Sequence, residues 1–279
     1  MKSLMIQGTS SGAGKTTLVT ALCRIFSKKG YRVAPFKSQN MSNYSYKTKE
    51  FEISRAQAIQ AVAARTEITP DINPILLKPL GNYRSSVFLH GKFYKNMHAT
   101  EYYKKFALTK GLAAATHSLN KLHRLNDFVI IEGAGSPSEI NLERFDIANM
   151  RIAERANSPV LLVTDIDRGG SFASIIGTMA LLDKKYRHFV KGFVINKFRG
   201  DIDILKPAFQ KLKKKTGRPV LGTIPMAKFA LPEEDSLGVK AKHMVWNKKN
   251  LKKINSEIEK LSKLVEKNLN IKEIERMIR

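Results

Sequence analysis

Met5-Ile6-Gln7-Gly8-Thr9-Ser10-Ser11-Gly12-Ala13-Gly14-Lys15-Thr16-Thr17 leads from an apolar run into a glycine-rich turn, and a helix-forming run, residues 18–26, follows directly. This order places backbone N–H groups at the N-terminus of a helix, where their dipoles favour a polyphosphate. Lys15 is expected to reach the β- and γ-phosphates of ATP, and the Thr16 hydroxyl is expected to hold Mg²⁺. The alternative is a plain glycine turn followed by a solvated lysine.

The glycine spacing differs from the common phosphate-loop pattern. Gly8 lies six residues before Gly14, and Thr9 stands where the pattern has its first glycine. A strand before the turn and a helix after it still favour nucleotide binding over a chance match. The residues expected to bind the phosphates are Thr9, Gly12, Gly14, Lys15, Thr16 and Thr17.

The composition is that of an ordinary globular protein, with 43% hydrophobic residues in 279. No apolar run approaches the roughly 18 residues that a membrane helix needs, so we expect no membrane association. The first predicted strand begins at Leu4, so we expect neither a secretory signal peptide nor a transit peptide. Its one cysteine, Cys23, rules out an internal disulfide or a cysteine metal cluster. These features predict a cytoplasmic protein.

The formal net charge of +25 could indicate contacts with nucleic-acid phosphates. However, the lysines are scattered along the chain, and neither a zinc-finger spacing nor an RNA-binding aromatic motif occurs. An anionic small substrate explains the charge equally well. We therefore do not expect nucleic acid as a partner.

Strand-like apolar runs alternate with amphipathic helical stretches. This alternation predicts an α/β fold, a P-loop NTPase-like, doubly wound and mostly parallel sheet with helices on both faces, followed by a C-terminal helical tail. Ligands of such sheets bind at the carboxyl ends of the strands, where this chain has polar, glycine-containing loops. The predicted strands are Leu4–Gln7, Tyr31–Pro35, Phe128–Glu132, Val160–Thr164, Gly192–Asn196 and Val220–Ile224, and the predicted helices are Leu18–Ser27, Ile147–Ala156, Phe172–Leu182 and Ile204–Lys213.

Two regions differ from this alternation. Residues 43–126 contain a predicted helix, Glu52–Ala64, and a short strand, Ser86–His90, and are interpreted as an insertion that forms a substrate lid. The C-terminal tail, residues 240–279, carries 12 Lys and Arg against 5 Glu, and its apolar residues recur at helical spacing. We expect an amphipathic helix that docks on the body or on a second chain rather than on a membrane. The predicted domains are an ATP-binding domain over 1–239 and this lysine-rich tail.

The loops also carry a family resemblance. The chain resembles the N-terminal, ATP-using part of cobyric acid synthases, within the dethiobiotin-synthetase-like group of P-loop proteins. The matching segments, in family order, are residues 7–17, 34–37 with 39–41, 55–58, 73–79, 132–137 with 139–141, 146–150, 165–170, 196–201 and 234–237.

The resemblance implies an ATP-dependent carbon–nitrogen ligase of cobalamin biosynthesis. It would amidate carboxylate side chains of a corrinoid acid, converting adenosylcobyrinic acid a,c-diamide to adenosylcobyric acid through an acyl phosphate, with ATP and Mg²⁺. Lys15, Lys37 and Glu132 would be catalytic, because Lys37 resembles a second phosphate-facing lysine and Glu132 ends an apolar strand as the second Mg²⁺ ligand beside Thr16. Asn196 and Pro225 would contact the adenine. The residues expected to contact the substrate arms are Gln39, Asn40, Arg55, Lys78, Arg84 and Arg168.

Some features depart from the family pattern. The usual Gly-Gly-Glu before Arg55 is missing, which puts Glu52 in doubt as a metal ligand, and Asp165 and Asp167 are weaker ligand candidates that could instead cap a helix. The family normally continues into a glutaminase domain with a nucleophilic cysteine, and Cys23 is in the wrong place for that role. Ammonia would then come from solution or from a separate glutaminase chain, and a homodimer is expected.

Two alternatives remain open at this level. One is a ParA-like DNA-partitioning or positioning ATPase, although Ser10 occupies the place where such proteins carry a lysine. The other is a decayed fragment that binds ATP without catalysis.

Overall fold

A computed structural model describes residues 2–232 and 245–278 of the chain. The strands are β1 Ser3–Gly8, β2 Val33–Phe36, β3 Gln39–Met41, β4 Ser45–Lys47, β5 Glu52–Ser54, β6 Ile75–Gly81, β7 Arg84–Leu89, β8 Lys92–His98, β9 Phe128–Glu132, β10 Val160–Asp165, β11 Val190–Phe198 and β12 Val220–Pro225. The helices are α1 Lys15–Lys28, α2 Arg55–Ala64, α3 Ala99–Glu101, α4 Leu112–Leu125, α5 Met150–Ala156, α6 Ser171–Leu181, α7 Lys206–Thr216, α8 Lys248–Asn268 and α9 Ile271–Ile278. A π-helical stretch, Tyr102–Gly111, joins α3 to α4.

The central sheet has six strands in the order β12-β11-β10-β1-β9-β2, and every neighbouring pair is parallel. The connection that leaves β1 leads past β9 to β2 on one side of the sheet, and the connection that leaves the neighbouring β10 leads to β11 on the other side. The loop after β1 therefore starts at the switch point of the sheet, where open α/β sheets bind ligands.

Helices cover both faces of this sheet. Along β1, Leu4 and Ile6 belong to one buried core, and Met5 belongs to the other, as the two-residue period of a strand requires. Helices α1, α8 and α9 pack into the first core, and α4 to α7 pack into the second. The predicted doubly wound α/β fold is confirmed, and each predicted strand and helix of the central sheet is present within a few residues of its expected ends.

The insertion differs from its prediction at its start. The expected helix from Glu52 begins instead at Arg55, because residues 52–54 form a short strand antiparallel to β4. Tertiary hydrogen bonds outweigh helix propensity here: the Glu52 N–H donates to the Gly91 carbonyl, and the Ser54 N–H donates to Asn73 Oδ1. The predicted strand over 86–90 belongs to a second sheet with the order β3-β6-β7-β8. The role of this region as a lid remains a prediction.

The C-terminal tail packs on the body of the protein. Helix α8 buries Ile254, Ile258, Leu261 and Val265, which were expected to form one apolar face, against α1 and its neighbours. The following helix, α9, was not predicted. Within the described residues, no helix combines the length and the apolar character that crossing a bilayer requires. The family match over 234–237 and the predicted boundary at 239 lie outside the described residues.

The end of α8 is joined to the edge of the central sheet. Leu269 forms an antiparallel bridge with Gly222 of β12, and the Asn270 N–H donates to the Leu221 carbonyl over 2.8 Å. On α1, Arg24 pairs with Glu259 of α8 at 3.3 Å and donates to Asn255 at 2.6 Å. The tail is thus held both by apolar packing and by directed polar contacts.

Substitution of Gly222 tests this docking. A Cβ atom at Gly222 would lie 2.2 Å from the Asn268 carbonyl oxygen, so Gly222→Ala should lower the free energy of unfolding by about 1–3 kcal/mol. Gly177→Ala is the matched control, because a Cβ there meets no atom within 4 Å and alanine favours the helix by about 0.5–1 kcal/mol. Urea denaturation of the three proteins measures both effects. Equal stability of Gly222→Ala and the parent would contradict the observed packing.

Candidate nucleotide site

The phosphate loop connects β1 to α1 at the switch point of the sheet. Gly12 and Gly14 adopt φ angles of +72° and +99°, a region that residues with a Cβ rarely enter. At Gly14 a Cβ would also lie 2.0 Å from Asn196 Nδ2. Helix α1 begins at Lys15, so its first N–H groups point toward the loop and can bind an anion.

Lys15 folds back over the loop. Its Nζ donates to the Ser10 carbonyl at 3.0 Å and to the Gly135 carbonyl at 2.8 Å, and the residue is only 7% exposed. The alternative of a glycine turn with a solvated lysine does not fit this burial. Lys15 instead joins the phosphate loop to the loop after β9.

Glu132 lies at the centre of the site and has no exposed surface. Its Oε1 accepts hydrogen bonds from Thr16 Oγ1 at 2.8 Å and from Lys37 Nζ at 2.7 Å. Its Oε2 accepts one from Gln60 Nε2 at 2.5 Å. A carboxylate this deeply buried is tolerated only when it is paired and hydrogen-bonded, and here it is both. The structure therefore brings together the predicted residues Lys15, Thr16, Lys37 and Glu132.

The same group is chemically suited to a magnesium ion. Mg²⁺ prefers oxygen ligands and is commonly held by one or two carboxylates, with phosphate and water completing the shell. Thr16 Oγ1 and Glu132 Oε1, 2.8 Å apart beside the start of α1, provide a hydroxyl and a carboxylate in the right place. Among the described residues no cluster of three or more His, Cys, Asp and Glu side chains could form an all-protein metal site. The hydroxyl of Thr16 and the carboxylate of Glu132 fit a metal ion that phosphates help to hold.

Lys197 holds the other side of the phosphate loop. It has a φ of +59°, and its Nζ donates to the Gly12 carbonyl at 2.8 Å and to Asp165 Oδ2 at 2.7 Å. Asp165 also accepts a hydrogen bond from the Asp167 N–H, and Asp167 pairs with Arg199 at 2.9 Å. Both carboxylates, the weaker predicted metal ligands, are thus occupied by cationic side chains of the neighbouring loop.

A cavity of about 640 Å³ opens from the phosphate loop toward β12 and α8. Asn196 and Pro225 lie in its wall, which agrees with their expected positions beside an adenine, although that contact remains a prediction. Asn196 Nδ2 donates to the Ala13 carbonyl at 2.9 Å. The described lining residues are Gly12, Gly14, Lys15, Thr16, Thr17, Thr20, Ala56, Ile59, Asn196, Lys197, Ile224, Pro225, Met226, Ala227, Lys228, Phe229, Leu231, Pro232, Leu261 and Leu264.

Thr9 and Thr17 complete the predicted nucleotide contacts. Thr17, in the first turn of α1, faces the cavity. Thr9 lies at the end of β1, where its Oγ1 donates to Thr164 Oγ1 at 3.0 Å and so joins the loop to β10.

The expected substrate residues fall into different environments. Asn40 donates to Gln57 Oε1 at 2.9 Å, and Gln57 donates in turn to Gln60, so Asn40 belongs to the buried polar network that ends at Glu132. Gln39 accepts a hydrogen bond from the Tyr102 hydroxyl at 2.6 Å.

The four cationic candidates are more widely spread. The Arg55 guanidinium stacks on the Tyr44 ring at 4.0 Å, and Lys78 pairs with Glu52. Burial would raise the pKa of Glu52, but its hydrogen bonds from Lys78 and Ser45 hold that pKa below its usual value. Glu52 is thus the ion-pair partner of Lys78. Arg84 and Arg168 are exposed, on β7 and in the loop after β10. A substrate role for each residue remains a prediction.

Sequence reasoning missed three residues that shape the site. Gln60 lies three residues after Gln57, and that helical spacing was the available signal. Lys197 follows the predicted Asn196 directly but was given no role. The Asn149 side chain holds the Ala134 backbone: its Oδ1 accepts from the Ala134 N–H, and its Nδ2 donates to the Ala134 carbonyl. A Cβ at Gly133 would lie 2.4 Å from Asn149 Oδ1. No spacing in the sequence indicates that last contact.

These features define a class. A glycine-rich loop at the N-terminus of the first helix, at the switch point of a parallel sheet and beside a buried carboxylate, is the site of a P-loop nucleotide-binding protein. Residues 4–239 match the CobQ/CobB/MinD/ParA nucleotide binding domain family, and the chain belongs to that family.

Its curated relatives confirm the narrower resemblance. The chain is 56% identical over 239 residues to a protein of Thermococcus kodakarensis named "Probable cobyric acid synthase", covering 85% of this chain and 49% of that protein. It is 54% identical over 238 residues to the cobyric acid synthase of Dehalococcoides mccartyi, covering 85% and 47%. The chain thus spans about half the length of the curated relatives it matches.

The chain is also similar to solved structures at low sequence identity. The signal recognition particle receptor FtsY from Elizabethkingia anophelis, in complex with GDP, aligns with a TM-score of 0.46 and 16% identity over 80% of this chain and 56% of that chain. A TM-score of this size supports no argument about the site.

The Gln60 contact can be tested through the metal. Gln60→Ala removes a donor that orients the Glu132 carboxylate, so the Mg²⁺ concentration needed for half-maximal ATP binding should rise about 10–100-fold. Calorimetric titration of ATP at a series of Mg²⁺ concentrations measures this shift. Gln210→Ala, on the exposed side of α7, is the matched control and should leave it unchanged. An unaltered Mg²⁺ requirement in Gln60→Ala would show that Gln60 does not position Glu132.

Proposed function

We propose that this chain is the ATP-dependent amide-ligase part of a cobyric acid synthase. It would transfer the γ-phosphoryl group of ATP to a carboxylate of a corrinoid acid, releasing ADP. Ammonia would then attack the acyl carbon of the mixed anhydride and release phosphate. The observation that carries this proposal is the joint placement of Lys15, Thr16, Lys37 and Glu132 at the phosphate loop.

Each of these residues has a physical task in such a reaction. Phosphoryl transfer needs charge stabilisation and alignment more than it needs covalent chemistry from the protein. Lys15 and the N-terminus of α1 would neutralise the phosphates, and Thr16 with Glu132 would hold Mg²⁺, which offsets charge on the transferred group. Lys37, 4% exposed and 2.7 Å from Glu132, would face the attacking carboxylate and lower the repulsion between two anions.

A second cavity, also about 640 Å³, offers room for a substrate next to the phosphate loop. It reaches the site at Gly135, whose carbonyl accepts the Lys15 hydrogen bond. Its wall includes three cationic residues, Arg144, Arg151 and Lys185, and three acidic residues, Glu139, Glu143 and Asp146. Of the predicted substrate residues it includes Gln39. A carboxylate entering from this side would meet the phosphate loop from the direction opposite the β12 cavity.

The remaining parts of the proposal concern partners. The nitrogen source would be free ammonia or a glutaminase on another polypeptide, and the protein would act as a homodimer. The ParA-like alternative has the net charge of +25 in its favour, while Ser10 at the loop gives it no lysine at the expected place. Binding of duplex DNA is therefore one arm of the test.

The test is ATP turnover by the purified chain with and without a corrinoid acid and ammonium. We expect ADP release to require both, and Lys15→Ala to lower kcat by at least about 100-fold, since one preorganised charge stabiliser is worth roughly that much. Lys214→Ala on the exposed face of α7 is the matched control and should turn over normally.

Other outcomes would point elsewhere. ATP hydrolysis indifferent to corrinoid acid and ammonium would contradict the ligase proposal. ATP-dependent, salt-sensitive binding of duplex DNA would favour the partitioning ATPase. ATP binding without turnover under every condition would favour a catalytically inactive fragment.

A further inference from the structure

Two apolar side chains of the C-terminal tail lie in the wall of the nucleotide cavity. Leu261 and Leu264, on successive turns of one side of α8, face the same space as Thr16 and Pro225. Both lie beyond residue 239, where the match to the nucleotide-binding family ends. The tail therefore contributes to the wall of a cavity that the residues matching the family do not form completely.

The chemistry of the wall changes along the cavity. At the phosphate loop it is formed by N–H groups and by Lys15, which suit a polyphosphate. The rest of the wall is mainly apolar and also contains Lys197 and Lys228. Asn196, next to the phosphate loop, provides an amide that can contact a polar edge. A flat, mostly apolar group with a hydrogen-bonding edge fits such a wall, as a purine base does. The apolar residues of the wall include Ile59, Ile224, Pro225, Phe229, Leu231, Leu261 and Leu264.

Helix α8 also positions the segment that follows β12. Glu257 Oε2 accepts a hydrogen bond from the Ala230 N–H at 3.0 Å, and the residues on either side of Ala230, 226–229 and 231–232, line the cavity. The helix is itself fixed on α1 through Arg24, whose contacts to Asn255 and Glu259 were described above. Because α1 carries the phosphate-binding residues, the tail and the phosphate loop are held in a fixed relation.

We propose that α8 is a structural part of the nucleotide site and that Leu264 contacts the base of the bound nucleoside triphosphate. This inference rests on the nucleotide-binding part of the proposed function and is independent of the corrinoid substrate. The tail is then a determinant of affinity for the nucleoside, while the phosphate loop determines affinity for the phosphates. Leu264 is half-buried, so it can be changed with less damage than the fully buried Leu261.

The experiment separates the two ends of the ligand. Mg²⁺ with ATP and Mg²⁺ with inorganic tripolyphosphate are each titrated into the full chain by calorimetry. For Leu264→Asn we expect ATP affinity to fall about tenfold or more, because a polar group replaces an apolar contact in a hydrophobic pocket. Tripolyphosphate affinity should equal that of the parent. Ser256→Asn, a neutral change at an exposed position of α8, should alter neither affinity.

The other outcomes of these titrations test the Leu264 contact and nucleotide binding separately. Unchanged ATP affinity in Leu264→Asn overturns the inference and leaves the proposed function standing. Failure of the parent to bind either ligand overturns nucleotide binding itself. If Leu264→Asn binds neither ligand, Leu264→Ala is titrated in the same way. A selective loss of ATP in that variant supports the inference, and an equal loss of both ligands, or no loss, overturns it.

Discussion

The buried carboxylate of Glu132 is the constraint on which the arrangement of this site depends. A charge with no exposed surface is costly unless donors surround it, and its donors come from three separate elements. Thr16 lies on α1, Lys37 follows β2, and Gln60 lies on α2. Since the charge must be matched, these elements take one relative position, which is the position that the proposed metal–nucleotide site would need. Stability and the proposed function would therefore depend on the same contacts.

The loops around the phosphate site are fixed by side chains that bind backbone groups. Lys15 donates to the Gly135 carbonyl, Lys197 donates to the Gly12 carbonyl, and Asn149 bonds both backbone groups of Ala134. Such contacts restrict the backbone conformations of these glycine-rich loops. When a phosphate binds, its oxygens would replace the Ser10 and Gly135 carbonyl oxygens as acceptors of the hydrogen bonds from the Lys15 ammonium. The site is thus built before the nucleotide arrives, which lowers the entropic cost of binding.

Much of the fold followed from local pattern. Buried strands of the central sheet are continuous apolar runs, and their short length and regular alternation with amphipathic helices identify them. The prediction was wrong at residues 52–54, where hydrogen bonds to Gly91 and Asn73 favour a strand over the expected helix start. Helix α9 was also missed. Partners distant in sequence decide these segments, and single-sequence periodicity does not contain them.

The candidate site likewise combines features that the sequence predicted with features that only the tertiary structure shows. The sequence by itself determined the family, and it predicted the phosphate loop with Lys15 and Thr16, because that motif is a local order of residues along the chain. It predicted Lys37 through the family resemblance, and Glu132 as a carboxylate at the end of an apolar strand. Only the tertiary structure decided that Gln60 supports Glu132, and that α8 closes the nucleotide cavity. Gln60 and Glu132 are 72 positions apart, and α8 is more than 200 positions from the phosphate loop whose cavity it lines. Both relations arise from the packing of helices on the sheet, which no local spacing encodes.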